Sequence, residues 1–175
     1  MLSDSNFNAI AQQFAAFDQL MCRGQKLMNI MPPFIAYGYA CGVHLPLSLG
    51  LTVLIVPNLD PAKLGSLVLT HKPEHMFGVP SHYQQMAADP KLKDADLSFI
   101  RNYAAGGDSI AQGAEQTVND FLAAHGVQHA MAKGYGMTEV SSAATAAAGH
   151  NNKPGSVGIL SLIHISEPTR RTPIS

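Results

Sequence analysis

The chain has 175 residues, 46% apolar and 13% charged, and its net charge is −1. That length holds one domain with a sizeable core and is too short for a large multidomain enzyme. The near-zero charge removes the electrostatic case for binding nucleic acid or an anionic membrane, and the two cysteines, Cys22 and Cys41, make no disulfide framework and fit a reducing cytoplasmic setting. Charge this sparse also points to surfaces covered by something outside the chain.

Met1-Leu2-Ser3-Asp4 runs into polar residues, unlike a secretory signal peptide. Phe7, Ile10, Phe14, Phe17 and Met21 then recur at helical spacing, with Asp4 or Ser5 as the cap and Gly24 as the stop. Residues 27–31 read as a short strand closed by Pro32-Pro33. A helix follows over 36–49, and 52–56 is a β-branched run that predicts a buried strand. His44, Pro46 and the glycines Gly38, Gly42 and Gly50 interrupt the apolar stretch 37–56, which favours this helix-into-strand reading over a transmembrane span.

Asp60-Pro61 marks a helix start, cap then proline, with Leu64, Leu67 and Val68 facing inward. A strand over 75–79, a helix over 81–88 and a strand over 99–104 come next. Ser109 and Gln112 form a capping box for a helix that buries Val118, Phe121 and Leu122 and stops at Gly126. Residues 127–132 are expected to be the strand that delivers residues 133–139. Strands alternating with helices predict an α/β layered domain, a mostly parallel sheet flanked by helices. Ligands on such sheets gather at the carboxyl ends of the strands, where residues 133–139 are expected. Composition changes at Leu160, and residues 160–175 lack apolar periodicity. Residues 160–170 resemble the translation of a transposon-end sequencing adapter, which makes 160–175 an expected artefactual, unstructured tail.

Four familiar motifs fail or are missing. His71-Lys72-Pro73-Glu74-His75 matches the inverted zinc pattern His-x-x-Glu-His, but Pro73 breaks the helix those ligands need. Gly107-Asp108-Ser109-Ile110-Ala111 lacks the last glycine of a serine-hydrolase elbow, and neither a dinucleotide fingerprint nor a phosphate loop of the Gly-x-x-x-x-Gly-Lys type is present. Lys133-Gly134-Tyr135-Gly136-Met137-Thr138-Glu139 is more informative. Gly134 and Gly136 permit close approach to a flat ligand, Tyr135 offers a stacking face, and Thr138 and Glu139 suit phosphate oxygens and Mg²⁺.

Gly134 to Glu139 resembles the adenine-and-phosphate motif of AMP-forming acyl-CoA synthetases, in the adenylate-forming ligase superfamily. Its neighbours resemble the same family in the same order. Residues 1–9 look like the stretch after the family's phosphate-binding loop, and Met31-Pro32-Pro33-Phe34 through Gly38 like its acyl-pocket segment. Val79-Pro80-Ser81-His82-Tyr83, residues 96–101 leading to Gly106-Gly107, and Lys153-Pro154-Gly155-Ser156-Val157-Gly158 complete the series. The resemblance covers residues 1–159, which it implies are a partial AMP-binding domain.

The resemblance implies a ligase in which a carboxylate attacks the α-phosphate of ATP and a thiol, usually that of CoA, then takes the acyl group. It implies that Gly106, Gly107 and Asp108 line the adenine, and that Gly134 and Tyr135, followed by Gly136 and Met137, form the other wall. Thr138 would bind phosphate, Glu139 would hold Mg²⁺, and Ile35, Tyr37 and Cys41 would border the acyl group. ATP or AMP, Mg²⁺, CoA and a small apolar carboxylate are the implied ligands, in a cytoplasmic enzyme compatible with peripheral membrane association. Two alternatives stand: an adenylation domain that loads a carrier protein, and a non-catalytic nucleotide-binding α/β module. Ile35 stands where many relatives carry a histidine, and Lys133 where a glutamine is common. The phosphate loop is expected before Met1, and the ribose-binding aspartate and catalytic lysine after residue 159. The chain alone is therefore expected to be inactive and poorly soluble.

Overall fold

The computed structural model describes residues 2–17, 20–56, 58–147 and 149–160. A seven-stranded sheet in the order β2-β1-β3-β4-β5-β6-β7 forms its centre. Its strands are β1 (Lys26–Asn29), β2 (Thr52–Ile55), β3 (His75–Gly78), β4 (Asn102–Ala105), β5 (Ala132–Met137), β6 (Ser142–Ala147) and β7 (Ile159–Leu160). Neighbours from β2 through β5 run parallel, and β5/β6 and β6/β7 are antiparallel. The α/β, mostly parallel architecture matches expectation. The tail beyond Leu160 lies outside the described residues, and Leu160 itself pairs with Thr145 in β7.

Helices α1 (Asp4–Phe17) and α2 (Leu45–Ser48) cover one face with a π-helix, Tyr37–His44, between them in sequence. Helices α3 (Leu64–His71), α4 (Pro80–Ala88) and α5 (Gln112–Ala124) cover the other. The division follows from strand alternation. Leu27 and Phe77 pack with Ala11, Cys41 and Leu45 on the first face. Met28, Met76 and Tyr103 pack with Leu64, Val68, Met86 and Val118 on the second.

Local chemistry sets most boundaries. α1 starts at Asp4, and just before it the Ser3 backbone N–H and hydroxyl both donate to Asn6 Oδ1, at 2.8 and 3.0 Å. The helix ends before Met21, which packs on the first face from outside it. Asp60 accepts from the Ala62 N–H, and a 3₁₀ turn at Pro61–Lys63 leads into α3. The capping box of Ser109 and Gln112 does not form. Asp108 takes the Ser109 N–H at 2.7 Å, and α5 begins only at Gln112. The strand expected at 52–56 lies at the sheet edge with Thr52 and Ile55 exposed, because only β1 pairs with it.

The largest displacement concerns β5. Residues 127–131 are not strand: the Val127 N–H closes α5 on Leu122 O, and the Met131 N–H is held by Asn119 Oδ1. The strand begins at Ala132, so Lys133 to Met137 form it and do not follow it.

Candidate active site

A cavity of about 220 Å³ lies between the sheet and the layer of α1 and the π-helix, at the carboxyl ends of β3 and β4. Of the expected site residues, Ile35, Tyr37, Cys41, Gly106, Gly107, Gly134, Tyr135, Gly136, Met137 and Thr138 line it. Segments far apart in sequence thus converge on one opening. Asp108 and Glu139 are exposed and outside its lining, though each adjoins a lining residue in the chain.

The π-helix delivers Tyr37 and Cys41. Asn29, fully buried at the end of β1, donates from Nδ2 to Gly38 O at 3.0 Å and accepts the Met31 N–H at 3.0 Å. A side chain on Gly38 would overlap the Pro32 carbonyl, and one on Gly42 would overlap the Asn29 amide. The segment can therefore lie this close to β1 only with glycine at both positions. π-helical turns concentrate at functional sites.

From that helix the Tyr37 hydroxyl reaches the ends of two strands, donating toward Gly78 O at 3.3 Å and Ala104 O at 3.2 Å. Burial holds its pKa well above the ordinary tyrosine value, with Tyr83 and Cys41 adding to the shift, so it remains a neutral donor. Its ring stacks on Phe77 at 6.3 Å. Cys41 Sγ lies 3.4 Å from Ser142 Oγ, and burial pushes the thiol up to about 11 against the lowering effect of that contact. Cys41 is a neutral wall, not a nucleophile.

Gly106 and Gly134 face each other across a narrow slot. A Cβ on Gly106 would lie 3.3 Å from Gly134 O and 3.6 Å from the Tyr37 ring, and Gly107 adopts φ +78°. Tyr135 projects beside this slot with 51% of its surface exposed. A β-bulge between Tyr135 and Gly136 re-aims the strand end, and a 3₁₀ turn, Thr138–Val140, presents Thr138 and Glu139 to solvent. The turn closes on two consecutive non-glycine residues at positive φ, Ser141 at 61° and Ser142 at 107°. A side chain on Gly136 would overlap the Ser142 carbonyl. Backbone strain of this kind clusters at functional sites.

The family model for AMP-binding enzymes matches residues 1–166. This chain belongs to the AMP-binding enzyme family. It is similar to a long-chain-fatty-acid–CoA ligase of Bacillus subtilis, 28% identical over 160 residues that make 90% of this chain and 28% of that protein. A feruloyl-CoA synthase of Amycolatopsis is 36% identical over 91 residues, 51% of this chain and 17% of that protein. The chain spans less than a third of the length of these curated relatives. Among solved structures, the N-terminal domain of FACL13 from Mycobacterium tuberculosis superposes with a TM-score of 0.77 at 20% identity, covering 90% of this chain and 38% of that one. Apo MatB from Rhodopseudomonas palustris gives 0.79 at 20% identity, covering 93% and 31%. These likenesses establish the fold as that of the N-terminal domain of adenylate-forming ligases.

Several residues of the cavity escaped sequence reasoning. Phe14 and Phe77 line it but read as ordinary core positions, and Ala143, Thr145 and Ala147 come from β6, which carries no strand signal. The rejected zinc pattern falls apart in space: His71 ends α3, His75 lies in β3, and Lys72 between them is left-handed at φ 47°. His75 Nε2 instead meets Gln25 Oε1 at 2.8 Å. No group of three or more potential metal-binding side chains occurs among the described residues, and no described helix is long and apolar enough to cross a membrane.

Proposed function

We propose that this chain carries the acyl pocket and adenine slot of a cytoplasmic AMP-forming acid–thiol ligase acting on an apolar carboxylate, with ATP and CoA as co-substrates. The observation that supports this best is the convergence of the 35–41 segment, the 106–107 loop and residues 134–138 on one cavity. In the reaction, a carboxylate oxygen bonds to the α-phosphorus of ATP and the bond to pyrophosphate breaks. A thiol then bonds to the acyl carbon, and AMP leaves with the electron pair of the mixed anhydride.

Tyr135 stacks on the adenine, and Gly106, Gly107 and Asp108 bound its other side. The glycines let backbone approach the flat ring where any Cβ would intrude. Thr138 donates its hydroxyl to phosphate. Glu139 and Thr138 offer hard oxygen donors in the open, which fits Mg²⁺, an ion commonly held by one or two carboxylates together with substrate phosphates and water. When bound, that ion offsets negative charge as pyrophosphate departs. Tyr37, Cys41 and Ile35 bound the acyl group without a carboxylate for an amino-acid ammonium, which favours an apolar acid over the carrier-protein reading.

The test is calorimetric titration of the purified chain with AMP, alongside pyrophosphate exchange. AMP binds, Tyr135→Ala weakens it by about tenfold or more, as lost base–aromatic stacking implies, and exchange is absent from the isolated chain. A folded chain that ignores AMP, or a Tyr135→Ala variant that binds it unchanged, would refute the site. Pyrophosphate exchange by the chain alone would refute its inactivity.

A further inference from the structure

Lys133 is the second residue of β5 and contributes to the cavity lining, yet its ammonium is taken up by protein partners. Nζ donates to Glu115 Oε1 at 2.6 Å and to Lys153 O at 3.2 Å. Both charged residues are buried, Lys133 with 7% and Glu115 with 9% of its surface exposed. They form the one buried ion pair among the described residues. Their positions in the fold matter most. Lys133 immediately precedes Gly134 and Tyr135, one wall of the slot, and pairs in register with Ala105 on β4 and Ala147 on β6. Glu115 sits in the first turn of α5, the helix into which the opposite wall, residues 106–108, directly runs.

We propose that Lys133 and Glu115 are positioning residues that fix the width of the adenine slot from behind, a role that rests on the nucleotide-site reading above. The gap they govern is narrow, since a Cβ on Gly106 would already lie 3.3 Å from Gly134 O. The third partner widens the consequence. Lys153 O brings the segment between β6 and β7 onto the same ammonium, and Asn152 Nδ2 adds a bond to Met131 O at 2.7 Å just before β5. One cation thus ties both slot walls and the segment after β6 to a single point. A buried ion pair gives little net stability over an apolar pair of equal volume, so geometry is where its effect is expressed.

The experiment measures AMP affinity by calorimetry for the chain and for Glu115→Gln, Lys133→Met, the double variant and a control, Leu122→Ala. Leu122 is buried later in the same helix, among the apolar side chains of the core beneath it. Either single change weakens AMP at least tenfold. The double variant loses no more than the worse single one, because both act on one link. Leu122→Ala lowers Tm and leaves AMP affinity within twofold. Single variants that bind AMP within twofold of the parent, additive losses in the double, or an equal loss in Leu122→Ala would each overturn the proposal. If the parent chain binds no AMP, the nucleotide-site reading fails, and hydrogen exchange decides the pair separately. Loss of protection in Glu115→Gln confined to 106–108 and 133–136 upholds slot positioning, whereas an even loss or none overturns it.

Discussion

Replacing Asn29 by leucine separates packing from hydrogen bonding beneath the π-helix. The two side chains are similar in volume, so the substitution leaves little void, but it removes the acceptor of the Met31 N–H and the side-chain donor that ties Gly38 O to β1. A buried group left unsatisfied costs about 1–3 kcal/mol, and the Met31 N–H becomes such a group. A typical domain holds only about 5–15 kcal/mol in total. At about 2–4 °C per kcal/mol for this size, Tm falls by roughly 2–12 °C. Urea unfolding reads the loss, and thiol labelling under native conditions locates it. Cys22 is exposed and Cys41 buried, so the parent labels once quickly and once slowly. In Asn29→Leu the π-helix loses its seat on β1, and Cys41 labels quickly as well. A loss below about 0.5 kcal/mol with Cys41 still protected would show that the amide does not hold the π-helix, and the reasoning would be wrong.

Gly136→Ala forces the strand away from the Ser142 carbonyl, with an overpacking cost of about 1–3 kcal/mol and weaker AMP binding by calorimetry. Gly113→Ala, on α5 with open space around its Cβ, gains about 0.5–1 kcal/mol instead. The reverse order of the two in urea unfolding would contradict both assignments. Burial keeps the His75 imidazole neutral in the fold down to about pH 4, Arg101 adding to the effect and Glu74 opposing it. The unfolded chain protonates it near 6.5, so the stability from its neutrality is complete above about pH 6.5 and is lost as pH falls toward 4. Urea midpoints from pH 7 to 4.5 show that decline, and His75→Gln flattens it; an unchanged slope in the variant would assign the effect to other groups.

The parallel half of the sheet was legible because each crossover carries its own local signals. Asp60-Pro61 and the apolar stripe of α3 are sequence-local, and so is Pro80 at the start of α4. The site strand was misplaced because its glycines lack strand propensity and β-branched Val127 directly follows the Gly126 helix stop. Pairing on both sides, with Ala104 and Ala105 from β4 and with β6, outweighs that preference. The same cause hid β6, whose alanines become strand only against β5. Type and spacing marked residues 134–138 as the candidate nucleotide site, but the link between Lys133 and Glu115 needed two elements folded together. A lysine before a glycine carries no local sign that its charge is buried.

The change from parallel to antiparallel pairing at β5 bears on how the molecule assembles. Every parallel neighbour must wait for a crossover to close, whereas β5 and β6 are joined by the short turn of residues 138–141. Closing so small a loop loses little chain entropy, and hairpins form within about 1–10 μs. Loop closure therefore favours an order in which the turn bearing Thr138 and Glu139 takes shape first. The proposed nucleotide slot comes later, when β4 docks and Gly106 meets Gly134. In kinetic terms the proposed phosphate end of the site is a nucleus and the proposed adenine end a late product, so slot-wall substitutions accelerate unfolding more than they slow folding.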